Sequence, residues 1–217
     1  MTDTPSFPPM AVTVDLVLMS LIDGQLAVLL QRRDAAPFAG QWVLPGGFVA
    51  AQETLDDAAR RVLTAKAGLA SERAAWLEQL YTFGAPGRDP RLRVVSVAYF
   101  ALLPAAGLTQ AVAARDDLAL MPIEALPAPL GFDHDAIVAL ALERLRGKLA
   151  YTPIALALLP ARFTLRDLQA VHEAIAGTRF HKPAFRRRML DSGWITPTGT
   201  RETETAFRPA ELYRQAD

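Results

Sequence analysis

Three groups of residues in this 217-residue chain have the types and spacing to do chemistry. The first is the stretch Pro45 to Gly68, PGGFVAAQETLDDAARRVLTAKAG: a glycine pair, a short loop, an amphipathic helix and a glycine that stops it. A tight glycine turn lets backbone approach a phosphate, and helix-start N–H groups attract an anion, so this order of parts suits a phosphate platform. Glu53, Asp56 and Asp57 lie within one turn and offer a displaced site for a divalent cation. Arg60 and Arg61, four residues on, offer the two aspartates a simpler use as helix-surface ion pairs. The second group is a set of arginines and rings around that platform. Arg32 and Arg33 suit phosphate or ribose groups, since the guanidinium fork matches phosphate oxygens. Phe38 and Trp42 can stack on or wall a base, and Tyr81, Phe83 and Arg91 can close the pocket.

The third group is the basic run KPAFRRRML, Lys182 to Leu190. With Phe185 and Met189 turned to a core, 100° per residue puts Ala184, Arg187 and Arg188 nearer the opposite face and Arg186 on a flank. A short helix with a small residue and arginines outward can enter a DNA major groove, where arginine reads guanine. Lys182 and Arg186 are placed for phosphates. Thr198, Gly199 and Arg201, at the expected tip of a following hairpin, and Arg208 suit contacts to backbone or minor groove.

These residues need elements to hold them. Met10 to Leu21 alternates like a strand, Asp23-Gly24 marks a hairpin, and Leu26 to Leu30 returns. Pro37, Gly40 and Pro45 predict irregular chain up to the glycine pair. Thr54 to Ala67 has helical periodicity with Gly68 as its cap, and Glu78 to Phe83 and Arg93 to Leu103 read as strands. Between those strands lies the turn-rich loop GAPGRDPRLR, and Pro122 to Pro129 reads as a proline-broken connector. Asp133 can cap a helix running to about Leu149. Thr152-Pro153 predicts a helix start, Thr164 caps a helix ending at Gly177, and Lys182-Pro183 opens a third. Three short helices and a hairpin form the layout of a winged helix-turn-helix. The expected division is 1–150 and 151–217. Through Ala150 there are 13 Lys/Arg against 16 Asp/Glu, and after it 10 against 7.

Composition removes several classes. No cysteine means no disulfide, thiolate metal site or thiol nucleophile. His134, His172 and His181 lack metal-ligand spacing. MTDTPSFPPM is not a signal peptide, and no apolar run reaches membrane-spanning length, so a cytoplasmic protein is expected.

Gly47, Glu53, Arg61, Leu63 and Gly68-Leu69 fit the skeleton of the Nudix box, and QWVLPGG resembles the family's entry to it. The resemblance implies an α/β fold, a Nudix α/β/α sandwich over 11 to about 148, and hydrolysis of nucleoside diphosphates linked to another group. The family's magnesium-binding glutamates, however, are here Val62, Ala65 and Lys66. Valine and alanine offer no ligand, and a lysine repels the metal. Lys66 can instead meet a ligand phosphate, so no catalytic and no metal-binding residue is assigned and no cofactor is required. EQLYTFGAPGRDPRLRVVSVAYFALL, TLRDLQAVHEAI, FRRRMLDSG and RPAELYR extend the likeness: the chain resembles the Nudix-related transcriptional regulators of NAD metabolism. That implies a homodimeric repressor of NAD biosynthesis or salvage genes, with double-stranded operator DNA as partner. The effector would be ADP-ribose or a related nucleotide at Arg32, Arg33, Phe38, Trp42, Gly46, Gly47, Lys66, Tyr81, Phe83 and Arg91. The alternative is an ADP-ribose or nucleoside-diphosphate pyrophosphatase with a non-standard metal site. A third reading is a constitutive DNA binder whose Nudix part is only a dimer scaffold.

Overall fold

The computed structural model describes residues 9–67, 76–203 and 209–216. Strand β1 (Ala11–Ile22) and strand β2 (Gln25–Arg32) form an antiparallel hairpin that pairs Ile22 with Gln25. Its turn residues Asp23 and Gly24 both have positive φ, 48° and 76°, the turn whose twist matches paired strands. Two short strands break the proline-rich stretch predicted to be irregular. They are β3 (Trp42–Val43), on β2, and β4 (Gly46–Phe48), on the first half of β1. The glycine pair is therefore strand rather than turn, and neither glycine has a positive φ.

Helix α1 (Leu55–Ala67) starts where Thr54 Oγ1 accepts the Asp57 N–H at 3.1 Å; its predicted glycine cap, Gly68, lies outside the described residues. Strands β5 (Trp76–Phe83) and β6 (Val94–Leu102) follow. Helix α2 (Ala105–Ala113) and strand β7 (Leu118–Pro122) occupy a stretch whose sequence carries no clear cap or alternation, and they were not anticipated there. Helix α3 (His134–Lys148) begins after Asp133, whose carboxylate does not cap it because Arg88 takes it.

A 3-10 turn at Ile154–Leu158 replaces the helix predicted from Thr152-Pro153. Thr152 instead donates its hydroxyl back to the Lys148 carbonyl at 2.8 Å, closing the end of α3. Helix α4 (Leu165–Ala176) has the predicted start and stop: Thr164 and Asp167 form a reciprocal capping box, and Gly177 closes the helix at φ 70°. Helix α5 (Lys182–Asp191) and the hairpin of β8 (Ile195–Arg201) with β9 (Glu211–Gln215) complete the chain.

The large sheet has the order β3-β2-β1-β6-β5, with β4 added to β1 and β7 to β2. β1 and β6 are parallel, Ala11 opposite Val94, and the remaining pairs are antiparallel. Side chains alternate across a strand, so β1 serves two cores. Val14, Leu16 and Leu18 pack with Ala58, Val62 and Leu63 of α1 and Leu108 of α2. Val17 and Met19 face the other way, towards Ile137, Ala141 and Leu145 of α3. That second core continues without a break through Ile154, Leu168, Val171 and Ile175 to Phe185, Met189, Ile195 and Tyr213. The sheet and the three-helix region are thus glued by one apolar body, with α3 in its middle. Among the described residues no helix is long and apolar enough to cross a membrane.

Leu145 of α3 is fully buried at this junction. Leu145→Ala is expected to cost about 2–5 kcal/mol, read as a lower urea midpoint by tryptophan fluorescence.

Candidate functional site

The odd-numbered face of β1 carries one charged residue in its buried part. Asp15 stands in line with Val17 and Met19 and is 6% exposed. A buried carboxylate is costly unless it is paired, and here Oδ2 takes two donors. Ser96 Oγ donates to Oδ2 at 2.5 Å, and Arg88 Nη2 approaches the same oxygen at 3.4 Å. Arg88 is itself buried, and donates Nε and Nη2 to the two carboxylate oxygens of Asp133 at 2.9 and 2.6 Å. Burial works against its charge, but the Asp133 hydrogen bonds and the two carboxylates outweigh that and hold its pKa above the ordinary range.

His134 is the fourth titratable member. The Leu44 N–H donates to its Nδ1 at 2.8 Å, so the ring proton sits on Nε2, 3.7 Å from Asp15 Oδ1. Burial depresses the His134 pKa despite the nearby carboxylates, so the ring is neutral. Gly46 passes directly over this cluster. A β-carbon there would overlap Asp15 Oδ1 and sit 3.0 Å from the Val14 carbonyl oxygen, which is why the chain needs glycine in an ordinary strand conformation.

The cluster floors a cavity of about 200 Å³. Five residues singled out from sequence line it: Arg33, Gly46, Gly47, Lys66 and Arg91. It is also lined by Asp15, Gln31, Phe48, Arg88, Asp89, Phe132 and His134, which sequence reasoning did not pick. Of these only Asp15 carried a signal, a carboxylate set inside the apolar run VTVDLVLM. Charge in the cavity is mostly spoken for. Arg88 is held by two aspartates, and Arg91 forks onto Asp89 at 3.0 and 2.7 Å, holding that carboxyl below its usual range.

Two cations remain uncommitted. Among the described residues the Arg33 guanidinium donates only to the carbonyls of Pro37 (2.8 Å) and Ala36 (3.5 Å), and it lies 5.1 Å over the Phe132 ring. Lys66 has no carboxylate partner among the described residues. Among the described residues the arrangement suits an anion: two cations without a carboxylate partner and a neutralised floor, with one carboxylate, Asp34, also on the wall.

Five other predicted ligand residues do not line the cavity. Arg32 is exposed and donates to the Gly40 carbonyl at 3.2 Å. Phe38, at φ 64°, backs the Phe132 ring at 4.7 Å rather than facing the cavity, and Trp42 packs on the main core. Tyr81 and Phe83 meet edge to face at 5.5 Å on β5, the edge strand at the far end of the sheet. β5 and the β2–β3 stretch lie on opposite sides of β1, a separation that sequence spacing does not reveal.

The expected i,i+4 pairs on α1 are replaced by other partners. Arg61 reaches back to grip both oxygens of Glu53 at 2.6 and 2.7 Å, and this bidentate bond, with the Ala50 N–H, holds the Glu53 pKa at about 2. Asp56 accepts from the Tyr99 hydroxyl at 2.7 Å, and Asp57 from Thr54 at 2.6 Å. Val62 is 1% exposed in the α1-side core, with a methyl facing Gly47. Position 62 is apolar interior and offers no oxygen to a Nudix-type magnesium centre, and both oxygens of Glu53 are held by Arg61.

The basic surface divides in two. Lys182, Arg186 and Arg201 line one groove together with Arg166, which sequence reasoning missed and which pairs with Glu202 at 3.1 Å. Ala184, Arg187 and Arg188 line a second, on the other side of the exposed ridge of α5. Phe185 and Met189 are buried as their spacing predicts. Arg188 lies 5.5 and 5.4 Å over the Phe180 and Phe185 rings, held by cation–π attraction as well as exposed. Thr198 and Arg201 are not at a hairpin tip: β8 runs through Arg201, and the Thr198 hydroxyl donates to the Leu212 carbonyl at 2.9 Å. Arg208 lies outside the described residues.

Known proteins match this geometry. The NUDIX domain family matches residues 11–141, and the NrtR DNA-binding winged helix domain family matches 155–215. The chain is 38% identical over 213 residues to the "ADPR responsive transcriptional repressor NtrR" of Acinetobacter baylyi, covering 97% of this chain and 84% of that one. The structure of Shewanella oneidensis NrtR complexed with a 27mer DNA superposes with TM-score 0.85 at 37% identity, over 94% of this chain and 93% of that one. The NUDIX domain of the same NrtR complexed with ADP ribose covers 64% of this chain and 90% of that one, with TM-score 0.55 and 37% identity.

Two outcomes follow from the cluster and from the buried His172 ring of α4. Gly46→Ala is expected to lose about 1–3 kcal/mol of stability by overpacking on Asp15, measured by thermal melting. Because burial lowers the pKa of His134, and likewise of His172, below the ordinary 6.5, their stabilisation is complete above that pH and is lost as pH falls below it. Melting temperature should therefore drop between pH 7.5 and pH 5, and less so in His134→Gln.

Proposed function

The chain belongs to the Nudix family, in the branch that carries an NrtR DNA-binding winged helix domain, and from this premise we propose that it is an ADP-ribose-responsive transcriptional repressor. The observation that carries the reading is the pairing of two features in one apolar body. One is a cavity whose free cations are Arg33 and Lys66; the other is an exposed helix bearing Arg186, Arg187 and Arg188. The diphosphate of ADP-ribose is the anion for Arg33 and Lys66, and Phe132 or Phe48 offers a ring face for its base or ribose. Operator DNA is taken by α5, with Arg187 and Arg188 toward bases and Lys182, Arg186, Arg166 and Arg201 toward phosphates.

In this reading the effector domain does not cut its ligand. Val62 and Ala65 supply no metal ligand, and Lys66 supplies the charge that a cation would otherwise bring. The repressor acts in the cytoplasm as a homodimer on genes of NAD biosynthesis or salvage. Effector must bind the DNA-free form more tightly than the DNA-bound form, since only that difference releases the operator.

Two assays test this together. Gel retardation of DNA from upstream of the chain's own coding sequence should weaken on adding ADP-ribose, and ADP-ribose with magnesium should yield no AMP. Sustained AMP release would overturn the non-enzymatic reading; retardation indifferent to ADP-ribose would favour a scaffold role. Replacing Arg187 and Arg188 together by alanine should abolish retardation while ADP-ribose still binds with unchanged affinity. Undiminished retardation would place the recognition face elsewhere.

A further inference from the structure

This inference rests on the reading that a ligand in the cavity alters DNA binding, and concerns how the two are connected. α3 touches both ends of the molecule. At its start, Asp133 receives two hydrogen bonds from Arg88 and His134 accepts the Leu44 N–H, so cavity floor and helix start are one hydrogen-bonded unit. Arg88 lines the cavity in the same loop as Arg91. Thirteen positions beyond Asp133, about 18–20 Å along the axis, Arg146 leaves α3 for the DNA-binding half. Its Nε donates to the Ile175 carbonyl at 2.9 Å, in the last turn of α4. Gly177, which closes α4, is close-packed on the same side chain: a β-carbon there would lie 3.3 Å from Arg146 Nη2.

From α4 the contact passes to the basic helix, since the His172 ring packs edge-on against Phe185 of α5 at 5.0 Å. A second cavity of about 200 Å³, lined by Leu26, Ile123, Leu142, Arg146, Glu173 and Gly177, adjoins the Arg146 contact. This cavity opens to solvent, so no close-packed neighbour on that side resists a shift of α4.

We propose that Arg88 and Arg146 are positioning residues of one coupling element. Arg88 ties the cavity to the start of α3, and Arg146 ties the end of α3 to α4. An anionic ligand entering the cavity competes with Asp133 for the Arg88 guanidinium. The start of α3 then loses an anchor, and the displacement reaches α4 and α5 through the Arg146 bond. Neither arginine needs to touch DNA. Such a coupling is a free energy shared by the two sites, so it is measured as a ratio of affinities rather than as either affinity alone.

The test uses the full chain with Arg146→Met, which keeps the aliphatic stem and removes the donor, and Arg146→Lys, which restores a donor. Calorimetry gives the ADP-ribose Kd without DNA; fluorescence anisotropy gives the Kd for the upstream DNA with and without ADP-ribose. In the unaltered chain a missing ADP-ribose effect on DNA would overturn the functional reading itself. Given that effect, Arg146→Met is expected to keep each separate Kd within about threefold and to shrink the ADP-ribose-induced change in DNA affinity about tenfold, with partial recovery in Arg146→Lys. An unchanged ratio in Arg146→Met would overturn the coupling role. Should Arg146→Met fail to fold, hydrogen exchange on the unaltered chain decides. Amides from Ala174 to Phe180 should exchange at least about threefold faster with saturating ADP-ribose, and equal rates would sink the proposal.

Discussion

The arrangement of Arg88 between Asp15 and Asp133 is the constraint on which much else rests. A guanidinium this buried is tolerable only because two carboxylates and their hydrogen bonds compensate for lost water, and removing one partner of such a group typically costs about 3–5 kcal/mol. The three residues come from β1, from the loop before β6 and from the residue before α3. Their union therefore fixes three elements relative to one another. His134 fills the remaining side of Asp15 and fastens Leu44, and Gly46 crosses above because no side chain fits there. The cavity has its shape and its neutral floor because this cluster exists.

Against that floor, the residues of the Nudix box play changed parts. The scaffold is intact: α1 packs on β1, and Arg61 clamps Glu53 as a rigid bidentate pair. Position 62 has joined the apolar interior, where a valine contributes about 1.5–3 kcal/mol by burial and a carboxylate would have to be desolvated. Arg115 donates to the Lys66 carbonyl at 2.7 Å, steadying the end of α1 from which Lys66 reaches the cavity. The end of α1 thus carries a cation, Lys66, to the cavity wall.

The second consequence is mechanical. A three-helix region joined to a sheet by a loose linker would report nothing about the sheet's ligand. Here the core runs on from Phe100 and Val28 through α3 into α4 and α5, so the basic helix α5 stands on the same apolar body as the sheet that carries the cavity. Local propensity made α4 well defined through its capping box and left-handed glycine, and that definition lets a single bond to the Ile175 carbonyl matter.

Periodicity and caps in the sequence determined the elements that stand on local physics. β1 with its Asp-Gly turn, α1, β5, β6, α4 and α5 all carry their signals within a few residues, and Phe185 and Met189 declared their buried face by spacing alone. The box substitutions, too, could be read without coordinates, because valine, alanine and lysine lack metal-ligating oxygens wherever they sit. α2 and β7 were not legible, since their short segments are held by packing against the α1-side core rather than by caps or strict alternation. Long-range partners decided the rest. Asp133 looked like a helix cap and is an ion-pair partner for Arg88, 45 residues away; Asp56 looked paired with Arg60 and is held by Tyr99. Phe38, Trp42, Tyr81 and Phe83 had the right chemistry for a ligand, but strand order turned them to the core, to the back of Phe132 or to the far edge. Residue type is a property of the sequence. Which oxygen meets which nitrogen across the sheet depends on strand order and helix packing, and only the tertiary structure supplies those.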